Sequence, residues 1–271
     1  MWGVHVKLTR GKVLSLRNLT MDYGAKRVLN GVDLDVFQGQ IIGYIGPNGA
    51  GKSTTVKIML GLIEGYKGEV EIFGQDISSG DPEYKRRVGY VPENAEVYDN
   101  LTAKEYLTFT GELYGMDRNF AEEKALKLMK EFDLADVFHK RISSYSKGMR
   151  QKVLIISSLL HDPDLLFLDE PLSGLDANSM MIIQEVLSQL AAQGKTIFYS
   201  SHIMDLVEKI SNRIVLLVDG KIVADGSFEE LQKLSEKGTL ADIFNQLTGF
   251  TEHKNIAKNF VSIVGEDLSN A

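Results

Sequence analysis

Apolar positions along the chain follow two periods, and the order in which those periods alternate predicts the fold. Val13-Leu14-Ser15-Leu16-Arg17-Asn18-Leu19 and Val32-Asp33-Leu34-Asp35-Val36 alternate every second residue, as half-buried antiparallel strands do. Gly68-Glu69-Val70-Glu71-Ile72-Phe73-Gly74 repeats the pattern, and Val88-Gly89-Tyr90-Val91 predicts a further short strand. Gln40-Ile41-Ile42-Gly43-Tyr44-Ile45 is instead almost continuously apolar, the pattern of a strand covered on both faces. From Thr102 to about Leu160 no strand pattern appears. There Thr102-Ala103-Lys104-Glu105 is a capping box and Asn119-Phe120-Ala121-Glu122 resembles one, which predicts a helical insertion. Strand-like runs return at Asp164–Asp169, Thr196–Ser200 and Ile214–Val218, separated by helical stretches at 178–193 and 203–210. Such alternation implies a parallel α/β core. Asp219-Gly220 predicts a hairpin turn, residues 226 to about 247 read as helix with a start at Thr239, and the tail beyond Gly249 carries no assigned pattern.

Between the buried strand and the helical spacing of Thr54–Leu60 lies Gly46-Pro47-Asn48-Gly49-Ala50-Gly51-Lys52-Ser53-Thr54. Glycines at this spacing let backbone N–H groups turn inward around a nucleotide's phosphates. Lys52 can reach the β- and γ-phosphates, Ser53 offers a hard oxygen to Mg²⁺, and the following helix adds its positive end. The fold class is therefore α/β with a P-loop NTPase core, an antiparallel β subdomain and a helical insertion. Leu165-Leu166-Phe167-Leu168-Asp169-Glu170 places two carboxylates at the end of a buried strand, where open α/β sheets present groups to a ligand. Asp169 would hold Mg²⁺ through water, and Glu170 would orient or deprotonate the water that attacks the γ-phosphate. A solvent-facing carboxylate pair is the plainer alternative, and the phosphate loop upstream argues against it.

Composition narrows the partners. The 271 residues are 44% hydrophobic and 25% charged, with a formal net charge of −7, so an extended basic surface for nucleic acid is not expected. Cysteine is absent, which excludes a disulfide scaffold and a thiolate metal site. No run approaches the length of a membrane span, and the first ten residues are too mixed for a secretory signal.

Five further segments, in order, make the chain resemble the ATP-binding subunit of an ABC transporter. Asp22-Tyr23-Gly24 is similar to the A-loop, whose aromatic ring stacks on adenine, and Gly89-Tyr90-Val91-Pro92-Glu93 stands where the Q-loop does. Tyr145-Ser146-Lys147-Gly148-Met149-Arg150-Gln151 takes the place of the signature motif, Ser173-Gly174-Leu175-Asp176 that of the D-loop, and Ser200-Ser201-His202 that of the H-loop. The resemblance covers about 13 to 225 and implies a RecA-like sheet, ATP and Mg²⁺ as cofactors, and a bipartite site in a dimer. In that site Ser146, Lys147 and Gly148 of one subunit meet ATP bound to another, and Asp176 of the D-loop is a further nucleotide-binding residue. His202 would sense the γ-phosphate, and Glu93 would reach the metal or a water. It further implies an ABC ATPase domain at 1–225, divided into an antiparallel β part at about 10–40 and 68–74, a helical subdomain at about 95–160 and the α/β core. Residues 226–271 then form a C-terminal extension.

Individually these residues have plainer readings. Tyr23 could be a packing residue, Ser146 an ordinary helix cap, and Lys147 a solvent-facing charge; His5, His139, His161 and His253 read as structural or surface histidines. Two departures stand out. Glu93 occupies a position where glutamine is usual, adding charge to a carboxylate-rich site, and the Ser-Lys-Gly-Met signature resembles the branch with separate, exporter-like membrane proteins. The aromatic residues Tyr98, Tyr106, Phe109 and Tyr114 belong mostly to a small helical core, and by resemblance the groove beside them receives a helix of the membrane subunit. The expected partners are a multi-spanning permease and a second ATP-binding subunit, as homodimer or heterodimer, and the expected location is the cytoplasmic face of a membrane. The alternatives are a soluble ABC-type ATPase acting on DNA or ribosomes, against which the single cassette and acidic balance stand, and a P-loop kinase, which would leave Asp169-Glu170 and Ser146 as coincidences.

Overall fold

In the computed structural model, which describes residues 11–94, 97–201, 203–233, 238–249 and 253–264, the predicted periods become two sheets and a helical block. β1 (Lys12–Tyr23) and β2 (Lys26–Phe37) form an antiparallel hairpin, longer at both ends than the alternating stretches within it. β3 (Ile41–Ile45) follows, buried throughout, and the phosphate loop leads into α1 (Lys52–Met59). β4 (Lys67–Ile72) and the two-residue β5 (Gln75–Asp76) complete a four-stranded antiparallel sheet in the order β2-β1-β4-β5. β6 (Val88–Val91) then enters the second sheet.

The helical block comprises α2 (Ala103–Leu113), α3 (Arg118–Glu131) and α4 (Lys147–Leu159). Thr102 and Glu105 form the capping box expected: Thr102 N–H donates to Glu105 Oε2 at 2.8 Å, and Glu105 N–H to Thr102 Oγ1 at 3.1 Å. The second box is displaced. Asp117, not Asn119, caps α3 by accepting from Phe120 N–H at 3.0 Å, because Asp117 holds the extended backbone of the cap position while Asn119 already lies within the first turn. Leu107, Ala125, Met129, Phe138, Val153 and Ile156 close a separate hydrophobic cluster within this block.

The core resumes with β7 (Leu165–Asp169), α5 (Ala177–Ala192), β8 (Thr196–Ser200), α6 (Met204–Ile210), β9 (Arg213–Val218) and β10 (Lys221–Gly226). These join β3 and β6 in a six-stranded sheet ordered β10-β9-β3-β8-β7-β6, parallel except for β10. Successive side chains of a strand point to opposite faces, so each parallel strand feeds two cores. Ile42, Tyr44, Phe167 and Phe198 face α1 and the antiparallel sheet, whereas Ile41, Ile45, Leu168 and Tyr199 face α4, α5 and the helices beyond. The β9–β10 turn holds Asp219 at φ 47° and Gly220 at φ 73°, the left-handed pair that the Asp-Gly sequence predicts.

After β10 the single expected helix is two, α7 (Phe228–Gln232) and α8 (Leu240–Thr248), each capped by its own hydroxyl, Ser227 and Thr239. The tail also departs from expectation. α9 (His253–Val264) carries Ile256, Phe260, Ile263 and Val264 at helical spacing on an exposed face, a period the reading of the tail passed over.

Candidate functional site

The phosphate loop owes its shape to contacts beneath it. Gly51 has φ +109°, and a Cβ there would stand 2.6 Å from Leu29 Cδ2 and 2.9 Å from the Val28 carbonyl oxygen, so only glycine fits. Thr55 is buried at the start of α1; its hydroxyl donates to Gly51 O at 3.0 Å and accepts from Tyr44 OH at 3.2 Å. Lys52 folds back over the loop, donating from Nζ to Gly46 O at 2.6 Å and Pro47 O at 3.2 Å. Burial holds its ammonium below the usual lysine value, opposed by the negative fields of Asp169, Glu170 and Glu93. A cation so placed is poised to exchange two backbone carbonyls for phosphate oxygens.

The carboxylates arrive from the neighbouring strands. In the sheet order β8 lies between β3 and β7, so the phosphate loop, Ser200-Ser201 and Asp169-Glu170 emerge side by side at the carboxyl ends of parallel strands. Ser200 Oγ donates a short hydrogen bond to Asp169 Oδ1. Ser201 Oγ donates to Glu170 Oε2 at 3.2 Å while accepting from Ile203 N–H at 3.2 Å. Glu170 itself has φ 47°, a left-handed backbone that costs a non-glycine residue about 1–2 kcal/mol. Its N–H donates to Ser200 O at 3.1 Å, and its carbonyl accepts from Ser173 N–H at 3.1 Å. Strain held in this way at a carboxylate is the kind found where a side chain must be aimed.

These groups surround a cavity of about 250 Å³. Asn48, Gly49, Gly51, Lys52, Ser53 and Thr54 of the phosphate loop line it together with Glu93, Asp169 and Glu170. Tyr23 also lines it and is 47% exposed, which leaves ring surface for a flat ligand. Lys26 and Val28 line it as well and carry no sequence signal of their own, although Lys26 pairs with Tyr23 across the β1–β2 hairpin. Gly46, Pro47 and Ala50 do not line the cavity; the first two present carbonyls to Lys52, and Ala50 is buried behind the loop. Larger cavities of about 480 and 510 Å³ lie elsewhere, and neither includes a phosphate-loop residue. The smaller one is the site because it alone among the three joins a cation, inward-turned backbone and paired carboxylates.

Ser53, Asp169 and Glu93 bring oxygen donors to one place, the donor chemistry Mg²⁺ prefers. Among the described residues no group of three or more carboxylates or histidines forms a metal site by itself, so phosphate oxygens and water would supply the remaining donors. Tyr90, beside these carboxylates, has its phenol pushed up by burial and by the Asp169 and Glu93 charges. His202 lies outside the described residues.

Four expected site residues stand apart from the cavity. Ser146 caps α4, accepting from Met149 N–H at 3.2 Å, and both it and Lys147 are exposed. Lys147 Nζ lies 3.4 Å from Ser173 Oγ, and Gly148 approaches so closely that a Cβ would come within 2.9 Å of Gly174 O. Asp176 caps α5, and hydrogen bonds from the Ser179 hydroxyl and N–H hold its carboxyl down at about 2. The four thus form a ledge of their own, with a helix N-terminus facing outward.

Residues 29–173 match the family described as ABC transporter. The chain is 42% identical over 205 residues to an uncharacterized ABC transporter ATP-binding protein of Nostoc, covering 75% of this chain and 61% of that protein. It is 36% identical over 219 residues to the ABC transporter ATP-binding protein NatA of Bacillus subtilis, covering 80% and 89%. A fluoroquinolones export ATP-binding protein of Mycobacterium tuberculosis is 37% identical over 223 residues, covering 82% and 73%. Among solved structures, an ATP-binding subunit of an ABC transporter superposes with a TM-score of 0.82 at 32% identity, over 87% of this chain and 99% of that one. A dimeric ATP-binding cassette in a post-hydrolysis state, bound to ADP and Pi, superposes with a TM-score of 0.72 at 25% identity, over 79% and 98%.

Proposed function

The chain belongs to the ABC transporter family as an ATP-binding and ATP-hydrolysing subunit, and from that premise we propose that two such subunits close around two ATP molecules and drive a separate membrane permease by opening after hydrolysis. One observation carries the bipartite part of this reading. Ser146, Lys147, Gly148 and Asp176 line no part of this chain's own cavity, yet α4 turns its free N–H groups and positive dipole end outward, where an anion held by another copy would meet them.

Within one site the roles follow from position. Lys52 and the loop N–H groups bind the β- and γ-phosphates, and Tyr23 covers the adenine. Ser53 and Asp169 would hold Mg²⁺, Asp169 through water, with Glu93 beside them, and the ion would supply positive charge to the phosphates. Glu170, aimed by Ser201 and its strained backbone, takes the proton of the attacking water. His202, two residues beyond β8 in sequence, is the residue that the family resemblance assigns to sensing the γ-phosphate. The permease is exporter-like, as the fluoroquinolone-export relative is named, and its cytoplasmic helix seats in the groove between the helical subdomain (about 95–160) and the core of the 1–225 ATPase domain. The chain sits peripherally on that permease, at the cytoplasmic face of the membrane; among the described residues no helix is long and apolar enough to cross one. Two identical copies suffice, because one chain carries every group of the composite site.

Ser146→Arg tests the bipartite site. It places a bulky cation at the exposed end of α4, outside the cavity. ATP binding to the monomer should stay within about twofold of wild type while turnover falls at least about a hundredfold. Wild-type turnover in that variant would overturn the reading.

A further inference from the structure

Gln151 is a buried amide, 1% exposed, on the inner face of α4. Its Nε2 donates to the carbonyl of Pro171 at 2.8 Å. A primary amide taken out of water is costly without such a partner, so the bond is a fixed feature of the interior. Pro171 directly follows Glu170, the residue whose left-handed backbone aims its carboxylate. Three hydrogen bonds therefore clamp three consecutive peptide units: Ser200 O holds the Glu170 N–H, Ser173 N–H holds the Glu170 carbonyl, and Gln151 holds the next carbonyl along. The first two come from the strand end and the loop itself. Only the third comes from α4.

The same helix touches the loop at three further points. Lys147 Nζ lies 3.4 Å from Ser173 Oγ, Gly148 abuts Gly174, and Lys152 Nζ lies 3.6 Å from Asp176 Oδ2. All four contacts join residues 147–152 to residues 171–176, so a shift of the N-terminal turns of α4 is a shift of the segment that holds Glu170.

We propose that Gln151 is a positioning residue for ATP hydrolysis, coupling the signature end of α4, which serves the nucleotide of the neighbouring copy, to Glu170, which acts on this chain's own nucleotide. The inference rests on the bipartite reading and on Glu170 as general base. Seating of the α4 N-terminus on a partner's γ-phosphate fixes residues 147–152, and Gln151 passes that placement to Pro171 and Glu170. Hydrolysis in one site thereby depends on closure at the other.

The test is a double-mutant cycle on turnover with Gln151→Met and Glu170→Gln. Methionine keeps the length and fills the buried space but cannot donate to Pro171 O. Gln151→Met should lower kcat about tenfold or more, with ATP affinity within about twofold of wild type. In the Glu170→Gln background it should lower the residual rate no further, because a residue acting through Glu170 has nothing left to position. An undiminished kcat in Gln151→Met, or a loss that multiplies in full with that of Glu170→Gln, overturns the proposal. Should Gln151→Met not fold, Gln151→Glu provides the second comparison. Its carboxyl donates to Pro171 O only when protonated, so its turnover relative to wild type should rise as pH falls from about 8 to about 6, and a flat ratio counts against the proposal. Failure of the underlying reading looks different: Glu170→Gln alone would then turn over at the wild-type rate.

Discussion

Replacing Lys52 by methionine separates what this side chain does for the empty loop from what it does for phosphates. Without nucleotide, the substitution deprives the Gly46 and Pro47 carbonyls of a donor, at a cost of about 1–3 kcal/mol. It also removes a charge that burial disfavours, which acts in the opposite direction. Apo stability should therefore change by less than about 2 kcal/mol. Nucleotide binding should suffer more, since hydrogen bonds to charged groups contribute about 1.5–3 kcal/mol each, and a loss near 2.7 kcal/mol is a hundredfold in affinity. At ATP equal to about 100 times the wild-type Kd, ligand stabilises the wild-type fold by about 2.7 kcal/mol and the variant by about 0.4 kcal/mol. A thermal melt reads this directly: an ATP-induced rise of about 5–10 °C in wild type should shrink to about 1 °C. pH supplies an internal control. The lysine's pKa is depressed below 10.5 when phosphate is absent, and phosphate raises it, so wild-type binding takes up a proton above the depressed value and weakens as pH rises through it. Methionine cannot titrate, so this component of the pH dependence should vanish in the variant. An unchanged ATP-induced shift in Lys52→Met would refute the assignment of Lys52 to the phosphates.

Tyr23→Ala should weaken ATP by about fivefold to tenfold while leaving inorganic triphosphate within about twofold, and equal losses for both ligands would remove the ring from adenine. Ser201→Ala deletes the hydrogen bond to Glu170 Oε2 and the acceptor for Ile203 N–H. Turnover should fall about tenfold with ATP affinity nearly unchanged, and a rate equal to wild type would show that Ser201 does not aim the carboxylate.

Much of the architecture was legible because burial writes itself into spacing. The almost continuously apolar Ile41–Ile45 run marked the central strand, and Asp169-Glu170 at the end of another such run marked the carboxylates that share the cavity with the loop. What escaped is what depends on partners distant in sequence. Gln151 closes the signature segment without a role of its own in the sequence, and only packing of α4 on the segment after Glu170 reveals it as buried and bonded to Pro171. Ser201 and Lys26 likewise gain meaning only when β8 is threaded between β3 and β7, and when the β1–β2 hairpin brings its turn to the cavity rim. The displaced cap at Asp117 lies two residues before the Asn119 that spacing suggested, since both carry side-chain acceptors suited to a cap and spacing does not choose between them. α9 could have been found, because Ile256, Phe260, Ile263 and Val264 recur at helical intervals. His161, read as a structural or surface residue, is half-buried and stacked on Tyr114 with ring centroids 3.5 Å apart, tying the helical block to the core.

The central claim is that one chain holds half of a composite ATP site. The most direct measurement is the solution mass of Glu170→Gln with and without Mg-ATP, together with the nucleotide bound per chain. The account predicts a monomer that becomes a dimer holding one ATP per chain, with turnover nearly abolished. Saturation with ATP at one nucleotide per chain while the protein stays monomeric would contradict it.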